Sequence, residues 1–169
     1  MKILLVVDLQ KDFILEPYYS QALEFIKEHK EDYDKVIATR FINTENSAFT
    51  QKLDYYGAME RTNLEFSYDE LFSKHNYDCG EGFYKHMKDA EIDVIGCDTD
   101  ACILAMCFEM FRLNLNFHVI ADFCYSSGGD EYHNMALDIM YRNFGADCII
   151  DHGTYIQQDD EEYEEETET

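Results

Sequence analysis

Basic side chains are scarce: 13 lysines and arginines stand against 36 aspartates and glutamates in 169 residues, a formal net charge of −23. Polyanionic partners need a basic stripe to displace counterions, so nucleic acid and anionic membrane surfaces are excluded as partners. Long apolar runs are missing too. Without roughly 18 consecutive apolar residues there is no membrane span to read. No charged-then-apolar leader is visible, so secretion is not expected and the cytoplasm is the expected location. Proline occurs once, at Pro17, and marks a turn before the first helix rather than a domain boundary. The six cysteines, at positions 79, 97, 102, 107, 124 and 148, have neither Cys-x-x-Cys spacing nor the density of a small secreted scaffold, and read as free thiols.

What is present is an alternation of strand and helix patterns, the signature of an α/β protein with a doubly wound, mostly parallel sheet covered on both faces. Strands are predicted at about 2–8, 34–40, 70–74, 91–96, 116–121 and 146–150. Amphipathic helices are predicted at 20–29 and 130–144, the second stopped by Gly145. A third, from Thr99 or Asp100 to Leu113, shows almost no polar face and is expected to be the most buried. Residues 44–69 have no firm pattern and read as a long connection of the kind that carries function. One domain, 1–156, is expected, followed by an acidic tail, 157–169. Eight acids lie between Asp159 and Glu168, and such a block repels itself and buries nothing, so the tail is expected to be disordered.

Two places stand out chemically. Ile3-Leu4-Leu5-Val6-Val7-Asp8 is a buried-strand pattern that ends in a carboxylate, at the end of a central strand where α/β proteins place chemistry. Cys102 closes Gly96-Cys97-Asp98-Thr99-Asp100-Ala101-Cys102, between an apolar strand and an apolar helix. A cysteine in the first turn of a helix faces unpaired N–H groups and the positive end of the dipole, which favour thiolate and make it a candidate nucleophile. In a doubly wound order the first and fourth strands are neighbours, so Asp8 and Cys102 meet at the switch point, and Lys74, closing the third strand, reaches the same crevice.

Asp8-Leu9-Gln10-Lys11-Asp12-Phe13, Lys74 and Gly96-x-x-Thr99-Asp100-x-Cys102 together resemble the three signature segments of the isochorismatase-like cysteine hydrolases, which include nicotinamidases. The resemblance spans about 2–151. It implies a three-layer α/β/α sandwich with sheet order 3-2-1-4-5-6 and an Asp8, Lys74, Cys102 triad. It further implies a cis peptide between Cys97 and Asp98, with the Asp98 and Cys102 N–H groups as an oxyanion hole. The implied reaction is hydrolysis of a small amide through a thioester on Cys102. Members commonly form homo-oligomers. The chain departs from the pattern where nicotinamidases carry an Asp-x-His metal site, since the stretch after the second strand reads Thr39-Arg40-Phe41-Ile42-Asn43. No metal and no cofactor are expected.

Phe13, Arg40 and Tyr77 are candidate substrate-binding walls. Cys97, Cys107, Cys124 and Cys148 are read as structural, Cys79 as bordering the cleft, and His133 as a surface or subunit-contact residue. Each of the three triad residues alone has a plainer explanation: a buried thiol, a strand-end turn residue, a solvated charge. Two other functions stay open beside the amide hydrolase: a catalytically silent binding or scaffold protein that retains the fold, and vinyl ether hydrolysis of the isochorismatase type.

Overall fold

The computed structural model describes residues 1–151. The acidic tail and the end of the expected domain at 156 lie outside the described residues. The strands are β1 (Lys2–Val7), β2 (Lys35–Phe41), β3 (Glu70–Lys74), β4 (Glu91–Cys97), β5 (Asn116–Tyr125) and β6 (Ile149–Ile150), and the helices are α1 (Tyr18–His29), α2 (Ala48–Leu53), α3 (Leu104–Arg112) and α4 (Asp130–Phe144). All neighbouring strands are parallel, in the order β3-β2-β1-β4-β5-β6. This is the expected three-layer sandwich.

The strand alternation builds both layers of core. From β1, Ile3, Leu5 and Val7 pack with Ile92 and Val94 of β4 against Met106, Cys107 and Met110 of α3 and Met140 of α4. Leu4 and Val6 face the other way and meet Ile95 and Cys97 together with Tyr19, Ala22, Phe25 and Ile26 of α1. Each fully buried Ile or Leu contributes about 1.5–3 kcal/mol, so these two faces hold the central strands rigid. β1 therefore presents its C-terminal end from the most fixed part of the molecule.

Several local expectations change. α3 is the most buried of the three long helices, as expected, yet Phe108 is 44% and Phe111 54% exposed, because only the face carrying Met106, Cys107 and Met110 meets the sheet. β5 runs on to Tyr125, past the predicted end at 121, because the β4–β5 register shifts between Val94 and Gly96 and takes extra β5 residues into the pairing. The 44–69 connection contains α2, whose signal is Ser47: its hydroxyl accepts from the Thr50 N–H at 3.2 Å, and the helix ends at Asp54 in the left-handed conformation.

Candidate active site

At the end of β1 the chain turns sharply, with Asp8 at φ +46°, a conformation rare outside glycine. The second strand over-determines that turn. The Asp8 N–H donates to Thr39 O (3.2 Å) and Thr39 Oγ1 (3.1 Å), and the Thr39 hydroxyl donates back to Asp8 Oδ1 at 2.7 Å. Gln10 then imitates a strand residue: its Oε1 accepts from the Phe41 N–H at 2.8 Å and its Nε2 donates to Phe41 O at 3.1 Å. Backbone strain of this kind persists only where the surroundings enforce it, here with the Asp8 carboxylate aimed along the switch point.

Cys102 arrives from β4. The Cys97–Asp98 peptide is cis. Gly96 makes this approach possible, since its φ is +125° and a Cβ built there would lie 2.0 Å from the carbonyl oxygen of Val7. Asp98 O then accepts from both Ala101 N (3.1 Å) and Ile103 N (3.2 Å), forming a wide turn over Thr99–Ile103 that lifts Cys102 toward the crevice. The β5–α4 connection clamps the turn. Ser126 Oγ donates to Asp100 Oδ1 at 2.6 Å, Ser127 Oγ donates to Asp98 Oδ2, and Thr99 Oγ1 bonds His133 Nδ1 at 2.7 Å. His133 is thus a half-buried support of this turn rather than a surface residue, and burial lowers its pKa.

Lys74 joins the two halves. Its Nζ lies 2.7 Å from Asp8 Oδ2 and donates to Cys102 Sγ at 3.1 Å and to the carbonyls of Asn76 (2.8 Å) and Tyr77 (3.1 Å). Asp8 is 1% exposed and Lys74 2%. Burial pulls the Lys74 pKa down, but Asp8 and Cys102 outweigh it and hold it above the ordinary lysine value. The Cys102 thiol is pushed well up, first by burial and then by the Asp8 carboxylate, against the opposing pull of Lys74. This corrects the thiolate expected from the helix dipole: desolvation of a buried anion exceeds what one helix terminus returns.

Above this trio opens a cavity of about 290 Å³. It is lined by Asp8, Cys97, Asp98, Ala101, Cys102 and Ser127 from the ends of β1 and β4 and the segment after β5, by the rings of Phe13, Phe41, Phe49, Tyr55 and Tyr77, and by Asp12 at an exposed position. Of the three expected walls, Phe13 and Tyr77 line it and Arg40 does not. Arg40 follows Thr39 on β2 and so points to the opposite side, donating to Thr62 O (3.3 Å) and Ser73 Oγ (3.2 Å). Cys97, read as structural, is fully buried yet contributes to the cavity, while Cys79 packs against the core, its pKa pushed up to about 12 by burial. Asp12, Phe41, Phe49, Tyr55 and Ser127 were missed. Phe49 and Tyr55 sit in the patternless connection, and only its length hinted at a role.

The fold and site define an α/β protein whose doubly wound sheet gathers a thiol, a carboxylate and an ammonium at its switch point. A family model described as the isochorismatase domain matches residues 2–149, and the chain belongs to that family of hydrolases. No curated protein matches the sequence. Among solved structures, the fold is similar to a pyrazinamidase of Pyrococcus horikoshii in complex with zinc (TM-score 0.69, 17% identity, 89% of this chain and 97% of that one). It is similar to a nicotinamidase of Bacillus subtilis (0.69, 15%, 88% and 98%) and to an isochorismatase-like hydrolase of Alkaliphilus metalliredigens (0.69, 17%, 94% and 99%).

The residues after β2 do not fit the Asp-x-His metal site that the resemblance to nicotinamidases implies at that place. Phe41 offers no donor atom. Asn43 spends its amide on Tyr55 O (3.0 Å) and Gly57 O (3.2 Å) and its oxygen on Thr44 N (2.9 Å) and Ser47 Oγ (2.5 Å). One metal-compatible group exists among the described residues: Glu91, Asp93 and His118 offer ligand atoms within 4.8 Å of one another. It sits at the N-terminal ends of β4 and β5. Asp93 precedes Cys97 by four residues, so it lies roughly 13 Å along the strand from the cavity, and it is engaged by Tyr33 (2.7 Å) and His118 (3.4 Å).

Proposed function

We propose that the protein is a metal-independent cysteine hydrolase that cleaves the C–N bond of a small amide through a thioester on Cys102. The observation that carries this reading is Lys74 Nζ in simultaneous contact with Asp8 (2.7 Å) and Cys102 (3.1 Å) at the floor of a cavity. The ammonium holds the carboxylate and the thiol at one point, so a base and its proton source share one site.

As Sγ bonds to the carbonyl carbon, the thiol proton passes to Asp8 and the carbonyl oxygen gains the negative charge. The backbone N–H groups of Asp98 and Cys102 are the assigned donors to that oxyanion. When the carbonyl re-forms, the C–N bond breaks and Asp8 returns its proton to the departing amine. Water, deprotonated by Asp8, then attacks the thioester, releasing the acid and restoring the thiol. Lys74 stays charged throughout. Homo-oligomer formation and a cytoplasmic location belong to the same proposal; Tyr132, Met135 and Ile139, exposed along one face of α4, support self-association.

The test is an unbiased amide-hydrolysis screen of wild type and Cys102→Ala, followed by intact-mass measurement during turnover. A substrate-derived acyl mass on Cys102, absent in the alanine variant, is the expected result. Full turnover by Cys102→Ala defeats the covalent mechanism and favours vinyl ether chemistry. A screen without turnover favours the silent scaffold.

A further inference from the structure

The walls of the cavity carry a charge that the reaction itself does not need. Asp98 and Asp12 line it in addition to Asp8, and among the described residues no lysine or arginine does. Lys74, beneath the floor, is committed to four polar partners and lies 5.4 Å from the centroid of the Phe41 ring. The nearby Lys11 pairs with Glu65 at 3.0 Å. An anionic substrate therefore meets two unopposed carboxylates and no cation. Asp98 is particular: Oδ2 accepts from Ser127, but Oδ1 is shielded from solvent and has no hydrogen-bond partner. Burial raises the Asp98 pKa, and a positive charge nearby would favour its ionised form.

Aromatic rings in mutual contact line the same cavity. Phe41 and Phe49 meet edge-on at 4.9 Å, and Phe49 and Tyr77 at 4.8 Å. Tyr55, in the same lining, has its pKa raised by burial and further by Asp12 and Asp98, so both carboxylates act across the same space. Ring faces attract alkylated cations, and carboxylates add a long-range pull that an uncharged ligand of equal shape does not feel.

We propose that the substrate is a positively charged amide, its alkylammonium group held between the aromatic wall and the Asp12 and Asp98 carboxylates. This names the substrate class of the amide hydrolase reading and rests on it. The charge also serves the chemistry. The acidic walls oppose the negative charge that builds on sulfur and oxygen, and a substrate cation offsets them only once it is bound.

The test uses three small primary amides: trimethylammonioacetamide, its uncharged isostere 3,3-dimethylbutanamide, and anionic succinamate. Binding is measured by calorimetry on Cys102→Ala, which requires no turnover, and ammonia release on wild type. The cation is expected to bind Cys102→Ala at least about tenfold more tightly than its isostere, with succinamate weakest. That ratio should shrink severalfold when Asp98→Asn or Asp12→Asn is added. Both amides keep an acceptor oxygen, for Ser127 at position 98 and for Gln10 and Thr62 at position 12. Isosteres that bind within twofold of each other, a ratio that survives both asparagine variants, or no binding of the cation at millimolar concentration each overturn the inference. Charge selectivity without hydrolysis keeps the charge inference and defeats the amidase reading, whereas hydrolysis without charge selectivity does the reverse.

Discussion

Replacing Lys74 with methionine separates the electrostatic role of this residue from its place in the core. The Nζ lies 2.7 Å from Asp8 Oδ2, with both side chains 1% exposed. At that distance the Coulomb attraction is about 6 kcal/mol for an effective dielectric constant of about 20. Desolvation of both ions offsets part of it, so Lys74→Met should cost about 3–5 kcal/mol, the usual loss when one partner of a buried pair is removed. Asp8→Asn on the same background removes the buried charge and should recover about half of the deficit or more. What it does not recover, about 1–2 kcal/mol, is the pair of carbonyls at Asn76 and Tyr77 that lose their donor. Urea denaturation of the wild type and the three variants measures the cycle, and amide hydrolysis should stay absent in the double variant. A Lys74→Met loss under about 1 kcal/mol, or a double variant as unstable as the two losses summed, would refute the reasoning.

Because burial and Asp8 raise the pKa of Cys102, its alkylation by iodoacetamide should be slow at pH 7 and keep rising about tenfold per unit to pH 9. Asp8→Asn should speed alkylation at fixed pH while abolishing turnover, and a rate already level by pH 7 would restore the thiolate. Gly96→Ala should destabilise by at least about 3 kcal/mol, since it joins a positive φ to a backbone collision with Val7; thermal unfolding close to wild type would contradict that approach. Hydrolysis should survive exhaustive chelation, measured as ammonia release after EDTA dialysis, and loss restored by zinc would place a metal in the reaction. His133→Ala should lower kcat by loosening the Thr99 turn while leaving the fold cooperative, checked by kinetics beside a denaturant curve.

Strand and helix periodicity is a local property, and the chain displays it openly. The alternating runs at Ile3–Val7 and Ile92–Ile95, with helical spacing before Gly145, determined the layers, and the ordered segments around Asp8, Lys74 and Cys102 determined which chemistry the sheet brings together. Three-dimensional context decided the rest, because desolvation and pair geometry depend on neighbours distant in sequence. A helix start beside Cys102 suggests a lowered pKa, yet burial and Asp8, 94 positions earlier, push it up instead. Arg40 is as polar as a binding residue should be, but strand pleating sends it to Ser73 and turns Thr39 toward Asp8 instead. The aromatic wall is likewise tertiary. Phe41 comes from a strand end, and Phe49 and Tyr55 from a connection without pattern, so no spacing links them until the sheet edge folds that connection over the cavity.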